Sequence, residues 1–214
     1  YPDVYKPVVD LTLISGNRLP DNSFEWWTST SALKMYSKTT ATLLRTTAGA
    51  TIRGERGTTS CKMTAGAGSD YFYINSESYP RLLDLMNQSV DFYTWAYPEV
   101  ANDAFIQIYT LKADGTAQTL TSITTCPATK WSLLSLLAQK LNDDLVKIEF
   151  RWGVTTNVKY AYFDSAALTG QTVDQYFLPY QFQIGTAQSG VTGGTLSRVR
   201  IQTSGFSDRA CYDL

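Results

Sequence analysis

The stretch "KYAYFDSAAL", residues 159–168, has the two-residue alternation of a β-strand. As a strand it directs Tyr160, Tyr162 and Asp164 to one face and Ala161 and Phe163 to the other. An ionised carboxylate that is buried without a partner costs on the order of several kcal/mol. The stretch therefore predicts a strand in which Asp164 requires a cation, a hydrogen-bond donor or water.

The composition indicates an all-β protein. Of the 214 residues, 43% are apolar and only 17% are charged, while threonine, serine, tyrosine and glycine are abundant. This balance favours strands joined by turns, in a chain long enough for a sizeable core. The formal net charge is −1, and no segment concentrates lysine or arginine as nucleic-acid binding requires. We therefore expect no nucleic-acid partner.

The residue inventory excludes several kinds of catalytic site. The chain has no histidine, which rules out Ser-His-Asp and Cys-His nucleophile pairs and histidine-ligated zinc. It also lacks GxGxxG, Walker A and nucleophile-elbow motifs. The 19 Asp and Glu residues leave a two-carboxylate glycosidase open, but the adjacent Asp143 and Asp144 stand in a turn-like stretch. We expect a protein without enzymatic activity.

No apolar run approaches the roughly 20 residues of a membrane-spanning helix, and no signal peptide opens the chain. We therefore expect no membrane insertion. The chain begins at Tyr1 without an initiator methionine, which predicts a processed protein or a module of a longer one. Cys61, Cys126 and Cys211 allow either one disulfide with a spare thiol or three free thiols.

Short alternating segments recur along the chain. Strands are predicted at 8–14, 59–65, 70–76, 90–100, 104–111, 131–137, 145–153 and 158–168. Asp-Gly in "ADGT", residues 113–116, supplies the positive φ values of a tight turn and predicts a hairpin. Because no βαβ alternation is present, the segments predict a two-sheet β-sandwich of jelly-roll topology.

Six of the segments occur in an order and spacing that resemble the carbohydrate-binding module 4/9 type of galactose-binding-like jelly roll. They are "LPDNSFEWW" (19–27), "RGTTSCKM" (56–63), "SVDFYTWAYPEV" (89–100), "ATKWSLLSL" (128–136), "VKIEFRWG" (146–153) and "KYAYFDSAAL". The resemblance covers about residues 10–169. It implies a β-sandwich of a kind that also occurs in phage and virus surface proteins.

The resemblance also implies a structural calcium ion. In many such jelly rolls calcium joins the Glu of an N-terminal turn to the Asp of the final strand, and these positions match Glu25 and Asp164. Calcium prefers several hard oxygen ligands, which carboxylates and backbone carbonyls from the two segments would supply. The turn departs from the family pattern, because Asn22 and Ser23 stand where Asn-Gly is usual. The alternative is that Asp164 caps a turn or accepts a hydrogen bond from a backbone N–H.

A glycan site requires aromatic rings that stack on sugars, flanked by groups that bond to sugar hydroxyls. Alternation places Trp95 and Tyr97 on one face of "FYTWAYP", and Gln107 and Tyr109 on one face of "FIQIYTL". We predict that these strands pair as a hairpin and bind carbohydrate through the four residues. The alternative is that one or both stripes belong to the core. Within these stripes a core position is favoured for Trp95 and Phe105, and core positions are also expected for Trp131 and Trp152.

We predict two regions, a jelly roll over 1–169 and a C-terminal β extension over 170–214. The extension includes predicted strands at 176–184 and 196–203, which form an additional hairpin. Their apolar side chains require cover, so we expect an interface with another subunit or domain.

Three classes of function follow. The first is a non-catalytic module of a larger extracellular or virion surface protein, such as an adhesin, that binds a glycan or a cell-surface polysaccharide. The second is a purely structural virion component, a capsid decoration, fibre or tail protein, that acts through subunit interfaces. The third is a carboxylate-dependent glycosidase or lyase, which the inventory disfavours.

Overall fold

The structure is a computed structural model, and it describes residues 17–53, 57–122 and 125–170, together with strand positions 199–200 and 211–212. The chain divides into a compact unit, Asn17–Gly170, and a second unit made of residues 1–16 and 171–214. The predicted strands at 8–14 and 176–184, and most of that at 196–203, lie outside the described residues. The predicted division into 1–169 and 170–214 stays a prediction.

The described part of the unit Asn17–Gly170 contains twelve strands and two short 3₁₀ turns, Gly49–Thr51 and Pro80–Leu85. The strands are β1 (Trp27–Ser29), β2 (Ala32–Leu33), β3 (Ser37–Lys38), β4 (Thr42–Thr46), β5 (Ser60–Thr64), β6 (Asp70–Asn75), β7 (Ser89–Pro98), β8 (Ala104–Lys112), β9 (Ala117–Thr121), β10 (Ser132–Lys140), β11 (Leu145–Val154) and β12 (Tyr160–Gly170). In the second unit, β13 (Val199–Arg200) pairs antiparallel with β14 (Cys211–Tyr212).

Ten of these strands form two five-stranded sheets. Sheet I has the order β10-β7-β12-β5-β4, and sheet II has the order β3-β6-β11-β8-β9. Every pairing within them is antiparallel. Buried and half-buried residues alternate along β7 and most of β12, because one face of each strand covers the core. The predicted two-sheet jelly-roll sandwich is confirmed.

The predicted hairpin between the strands that became β7 and β8 is wrong. β7 pairs with β10 and β12 in sheet I, whereas β8 pairs with β11 and β9 in sheet II. Residues 99–103 thus carry the chain from one sheet to the other. Each strand has a largely apolar inner face, with Phe92 and Ala96 on β7 and Ile106 and Ile108 on β8, and both faces cover the same core. Alternation shows that a strand has a buried face, but it does not show which sheet the strand joins.

The turn between β8 and β9 agrees with the sequence prediction. Gly115 has φ of 86°, a conformation that glycine adopts at no steric cost. The Gly115 N–H donates to the Lys112 carbonyl, and the Lys112 N–H donates to the Thr116 carbonyl at 2.9 Å. The Asp-Gly pair therefore closes the hairpin that it predicts.

Aromatic rings fill the middle of the sandwich. The Trp152 side chain is fully buried, as predicted, with its ring centroid 5.3 Å from that of Phe72 in a stacked arrangement. Phe24 and Phe92 meet the Trp152 indole edge-on at 5.6 and 5.1 Å. Such aromatic pairs stabilise a core beyond the area that they bury. This cluster joins the two sheets, because Phe92 belongs to sheet I whereas Phe72 and Trp152 belong to sheet II.

Two of the three cysteines lie in the described unit. Cys61 and Cys126 are buried free thiols, and burial raises the pKa of both.

Among the described residues, no helix has the length and apolarity needed to cross a membrane.

Candidate functional site

The Asp164 carboxylate lies at an irregularity in β12. The register with β7 shifts between Asp164 and Ala167, and Ser165 within it has φ of 48°. Asp164 is buried, and its oxygens accept hydrogen bonds from the Arg53 N–H at 2.8 Å and the Ser165 N–H at 2.6 Å. The alternative stated for this residue, that it accepts backbone N–H groups, is therefore observed.

Burial raises the pKa of the Asp164 carboxyl, and the nearby charge of Glu25 acts in the same direction, although the hydrogen bonds oppose them. Glu25, the other predicted metal ligand, thus lies near enough to Asp164 to influence its carboxyl. Glu25 has its own partners, since its Oε1 accepts from the N–H groups of Thr58 and Thr59, each at 2.8 Å. The structure therefore brings Glu25 and Asp164 into one region.

Asp21, which the sequence reasoning missed, organises the turn that carries Glu25. Its two carboxylate oxygens accept from the N–H groups of Glu25 and Trp26, each at 2.9 Å. Phe24, three residues after Asp21, has a φ of 53°, which is an uncommon backbone conformation for a residue with a bulky side chain. The sequence did contain a signal for this turn, the order Asp-Asn-Ser-Phe-Glu. In turns an Asp side chain commonly accepts hydrogen bonds from backbone N–H groups a few residues later.

A metal bound here would depend on backbone oxygens. Within the part of the chain that the structure describes, no group of three or more Cys, Asp or Glu side chains is placed to hold a metal ion. Two carboxylates and neighbouring carbonyl groups match the hard-oxygen preference of calcium. They do not match the thiolate and imidazole preference of zinc or copper.

The outer face of sheet I carries several aromatic side chains, Tyr93 of β7 among them, and we call five of the others the aromatic face. They are Trp95 and Tyr97 of β7, Tyr160 and Tyr162 of β12, and Trp131 immediately before β10. All five are half-buried, because their rings lie on the sheet while their outer edges meet solvent. The strand register brings these side chains side by side, since Tyr162 of β12 is directly opposite Tyr97 of β7.

Four rings of the aromatic face form a continuous row that runs from Trp131, just before β10, across β7 and β12. The Tyr97 ring centroid lies 5.6 Å from that of Trp131 and 5.9 Å from that of Tyr162. Tyr160 continues the row at 5.5 Å from Tyr162. All three contacts are edge-to-face, the geometry that aromatic quadrupoles favour.

Two cations border this row. The Lys62 ammonium lies 4.0 Å from the centroid of the Tyr160 ring, and the Arg53 guanidinium lies 4.2 Å from that of Trp95. Both distances are in the range of cation–π contacts. The cations give the aromatic face hydrogen-bond donors beside apolar rings.

Trp131 corrects a sequence expectation. It was expected in the core, but it is half-buried and contacts Tyr97 on the solvent side of sheet I. The residue stands just outside β10, where alternation no longer indicates a direction. Hydrophobicity alone predicts that the tryptophan in "TKWSLL" belongs to the core.

Of the four residues predicted to bind carbohydrate, the structure brings together two pairs. Trp95 and Tyr97 share the aromatic face, whereas Gln107 and Tyr109 lie on the outer face of sheet II. The single four-residue platform does not form, because β7 and β8 belong to opposite sheets. Phe105, also on β8, is largely buried, but it lies outside the core cluster that the two sheets enclose and lines a pocket on the outer face of sheet II, so the expected core position is wrong.

Gln107 lines a pocket of about 610 Å³ on the outer face of sheet II, which we call the groove. Its lining includes Phe105, Gln107, Thr119, Thr121, Arg151 and Thr155. Beside it, the Arg151 guanidinium lies between the rings of Tyr71 and Tyr109, 4.4 and 4.2 Å from their centroids. Tyr109 thus contacts the arginine that lines the groove.

Comparison with known proteins identifies the fold. No family model and no curated protein sequence matches the chain. The CBM22-1 xylan-binding domain from Paenibacillus barcinonensis Xyn10C is similar with a TM-score of 0.54 and 13% identity, over 70% of this chain and 91% of that domain. The C-terminal family 22 carbohydrate binding module of Clostridium thermocellum Xyn10B is similar with a TM-score of 0.57 and 15% identity, over 74% and 96%.

The unit Asn17–Gly170 is therefore a β-sandwich with the jelly-roll fold of carbohydrate-binding modules. The same fold occurs within a longer chain, the enzymatically active domain of bacteriophage CBA120 tailspike protein 4. That similarity has a TM-score of 0.50 and 13% identity, and it covers 72% of this chain and 21% of the tailspike domain.

Proposed function

We propose that the unit Asn17–Gly170 is a non-catalytic carbohydrate-binding module that holds a polysaccharide chain on its aromatic face. The observation that carries the proposal is the row of rings from Trp131 through Tyr97 to Tyr162, on the solvent side of one sheet. Sugar rings have apolar faces formed by C–H groups, and aromatic side chains are the protein groups that cover them best.

The length of the row favours a polymer over a single sugar. It crosses strands β10, β7 and β12 of sheet I, which lie about 4.8 Å apart in a typical sheet. A ligand that contacts every ring must therefore extend over more than one sugar unit. Lys62 at the border supplies donors for sugar hydroxyls.

We further propose that the module belongs to a larger protein outside the cell or on a virion surface, where glycans are accessible. The fold match to xylan-binding and family 22 modules supports a soluble-glycan or cell-surface polysaccharide ligand. The match to part of a phage tailspike domain supports the virion alternative at the level of fold. The chain's weak net charge of −1 supports the absence of a nucleic-acid partner.

The proposal is tested by native gel electrophoresis of the full chain in gels that contain xylan, β-glucan, galactomannan or bacterial capsular polysaccharide. Retardation by at least one neutral polysaccharide is expected. Incubation with that polysaccharide should release no reducing ends, since a binding module leaves the chain intact. Migration that no polysaccharide alters would contradict carbohydrate binding, and release of reducing ends would identify a glycosidase or lyase instead.

A structural calcium ion between Glu25 and Asp164 is a separate proposal. The carboxylates of Glu25 and Asp164, together with neighbouring backbone carbonyls, would supply the hard oxygen ligands that calcium prefers. We expect a chelator to lower the melting temperature of the wild-type chain. Asp164→Asn should be less stable and insensitive to the chelator. An identical melting curve with and without chelator, in calcium-loaded wild-type protein, would refute the proposal.

A further inference from the structure

Lys62 lies at the β5 end of the row of rings on the aromatic face. It is directly opposite Tyr162 of β12, which is directly opposite Tyr97 of β7. Because β5 follows β12 in the order of sheet I, a ligand that crosses Trp131, Tyr97 and Tyr162 meets Lys62 next. The side chain of Lys62 therefore sets the chemistry at this end of the row.

Lys62 differs from comparable lysines because it has no acidic partner. Four lysines in the described ranges are half-buried, and three of them pair with a carboxylate. The pairs are Lys112 with Asp144 at 3.5 Å, Lys147 with Glu149 at 3.0 Å and Lys159 with Glu99 at 3.0 Å. None of the ion pairs between described residues includes Lys62. A charged group that is partly removed from water is stabilised by an opposite charge, so this position favours an anionic ligand.

Aromatic rings hold the Lys62 ammonium in place. It lies 4.0 Å from the ring centroid of Tyr160 and 5.6 Å from that of Tyr162. These cation–π contacts position the ammonium but add no negative charge. On the other side, the residue opposite Lys62 in β4 is Leu44, which is 46% exposed. The ammonium thus stands among uncharged side chains, with N–H donors that an anion can accept.

The acidic groups near this end of the aromatic face already have partners. Glu99 accepts a hydrogen bond from the Lys159 ammonium at 3.0 Å. Asp164 is buried, and its carboxylate accepts from the Arg53 backbone N–H at 2.8 Å. The whole chain has a net charge of −1, so its overall charge does not attract anionic polymers. A preference for an anionic ligand must therefore come from a local cation such as Lys62.

From these features we infer that the aromatic face prefers polysaccharides that carry uronic acid units, and that Lys62 binds their carboxylate. The carboxylate of a uronic acid projects from the edge of the sugar ring, so the apolar C–H faces remain free to stack on tyrosine. Neutral polymers contact the rings without this ion pair and bind more weakly. The inference rests on the proposed function, since Lys62 selects among glycans only if the aromatic face binds them.

The test uses pairs of polysaccharides that differ in their carboxylates. β-Glucan and galactomannan are compared before and after oxidation of their C6 hydroxymethyl groups to carboxylates, and glucuronoxylan before and after reduction of its carboxyl groups. Isothermal titration calorimetry of the full chain gives each dissociation constant at about 20 mM salt, where exposed charges are weakly screened. In at least one pair, the carboxylated member should bind about fivefold more tightly, the upper range for an exposed ion pair. About 1 M salt should reduce this preference.

Variants of two lysines assign the preference. Lys62→Gln should lose it, so that both members of the pair bind with similar affinity, whereas Lys62→Arg should keep it because the charge remains. Lys38→Gln makes the same change of charge at an exposed position of β3 in sheet II and should also keep the preference. The melting temperature of each variant shows whether it is folded.

The outcomes separate this inference from the proposed function. If neutral and carboxylated members bind equally in every pair, the inference is overturned while glycan binding stands. A preference that persists in folded Lys62→Gln would also overturn it, because another cation would then be responsible. If no polysaccharide binds in either form, the proposed function fails and the inference fails with it.

Discussion

Individual carboxylates in this protein act mainly as acceptors for backbone N–H groups. Asp21 organises a turn, Asp164 bonds to Arg53 and Ser165, and Asp70 is the most highly bonded of the three. The sequence indicated that Asp164 needs a partner, because alternation placed it in a strand. It could not indicate which partner, since Arg53 lies 111 residues away along the chain.

Asp70 gives a prediction at this scale. Partial burial acts to raise the pKa of its carboxyl, but hydrogen bonds from the hydroxyls of Thr39 and Thr40 and the N–H groups of Gly66 and Ala67 hold the pKa below its ordinary value near 3.8. A lowered pKa in the folded state stabilises the protein above that ordinary value, and this stabilisation is lost as the pH falls through the folded-state pKa.

Asp70→Asn should therefore lower the free energy of unfolding at pH 7 by about 1–3 kcal/mol. The deficit relative to wild type should shrink as the pH falls from about 3.8 through the lower pKa of folded Asp70, below which both proteins are neutral at this position. Denaturant titrations between pH 7 and pH 2 measure it. The exposed Asp84→Asn should change little at any pH. A deficit for Asp70→Asn that stays constant over this range would show that the charge is not responsible.

At the scale of elements, the sequence predicted most strands within a few residues, but it did not predict how they associate. The strand predicted at 104–111 is observed as Ala104–Lys112, and that predicted at 70–76 is observed as Asp70–Asn75. Strand existence follows from local alternation. Sheet membership depends on contacts between distant segments, so the pairing of β7 with β10 and β12 had no local signal. For the same reason, the sequence did not show that the four predicted sugar-binding residues lie on the outer faces of two different sheets.

Gly153 of β11 gives a prediction for the packing of sheet II. Gly153→Ala places a methyl group where the Phe105 ring lies, so the ring must move. We expect a loss of about 1–3 kcal/mol in the free energy of unfolding, as overpacked sites show. Gly49→Ala is the matched control, because nothing lies within 4 Å of its added Cβ. The double variant Gly153→Ala with Phe105→Leu should recover part of the loss, and equal stability of all the variants would contradict this packing.

At the scale of the whole molecule, the unit Asn17–Gly170 has ends that bond to each other. The Asn17 Nδ2 donates to the Ala166 carbonyl, its Oδ1 accepts from the Leu168 N–H, and the Arg18 N–H donates to the Leu168 carbonyl at 2.8 Å. Adjacent ends are typical of a domain that folds independently.

A shortened chain of residues 17–170 should therefore unfold in one cooperative transition. By the sequence prediction for the C-terminal extension, it should also be a monomer under conditions in which the full chain associates. Calorimetry and size-exclusion chromatography measure the two properties. Failure to fold would place part of the core outside this unit, and an unchanged oligomeric state would show that the extension is not the interface.

The most direct test of carbohydrate binding compares two tyrosine variants that differ only in the sheet they occupy. Tyr97 lies on the aromatic face, whereas Tyr73 is a half-buried tyrosine on the outer face of sheet II and does not line the groove. The measurement is the dissociation constant for the polysaccharide that retards the wild-type chain, together with the melting temperature of each variant. We predict that Tyr97→Ala weakens binding at least tenfold, about 1.4 kcal/mol, while Tyr73→Ala binds as wild type and both remain folded. Equal affinities of folded Tyr97→Ala and wild-type protein would contradict the assignment of the aromatic face as the glycan-binding site.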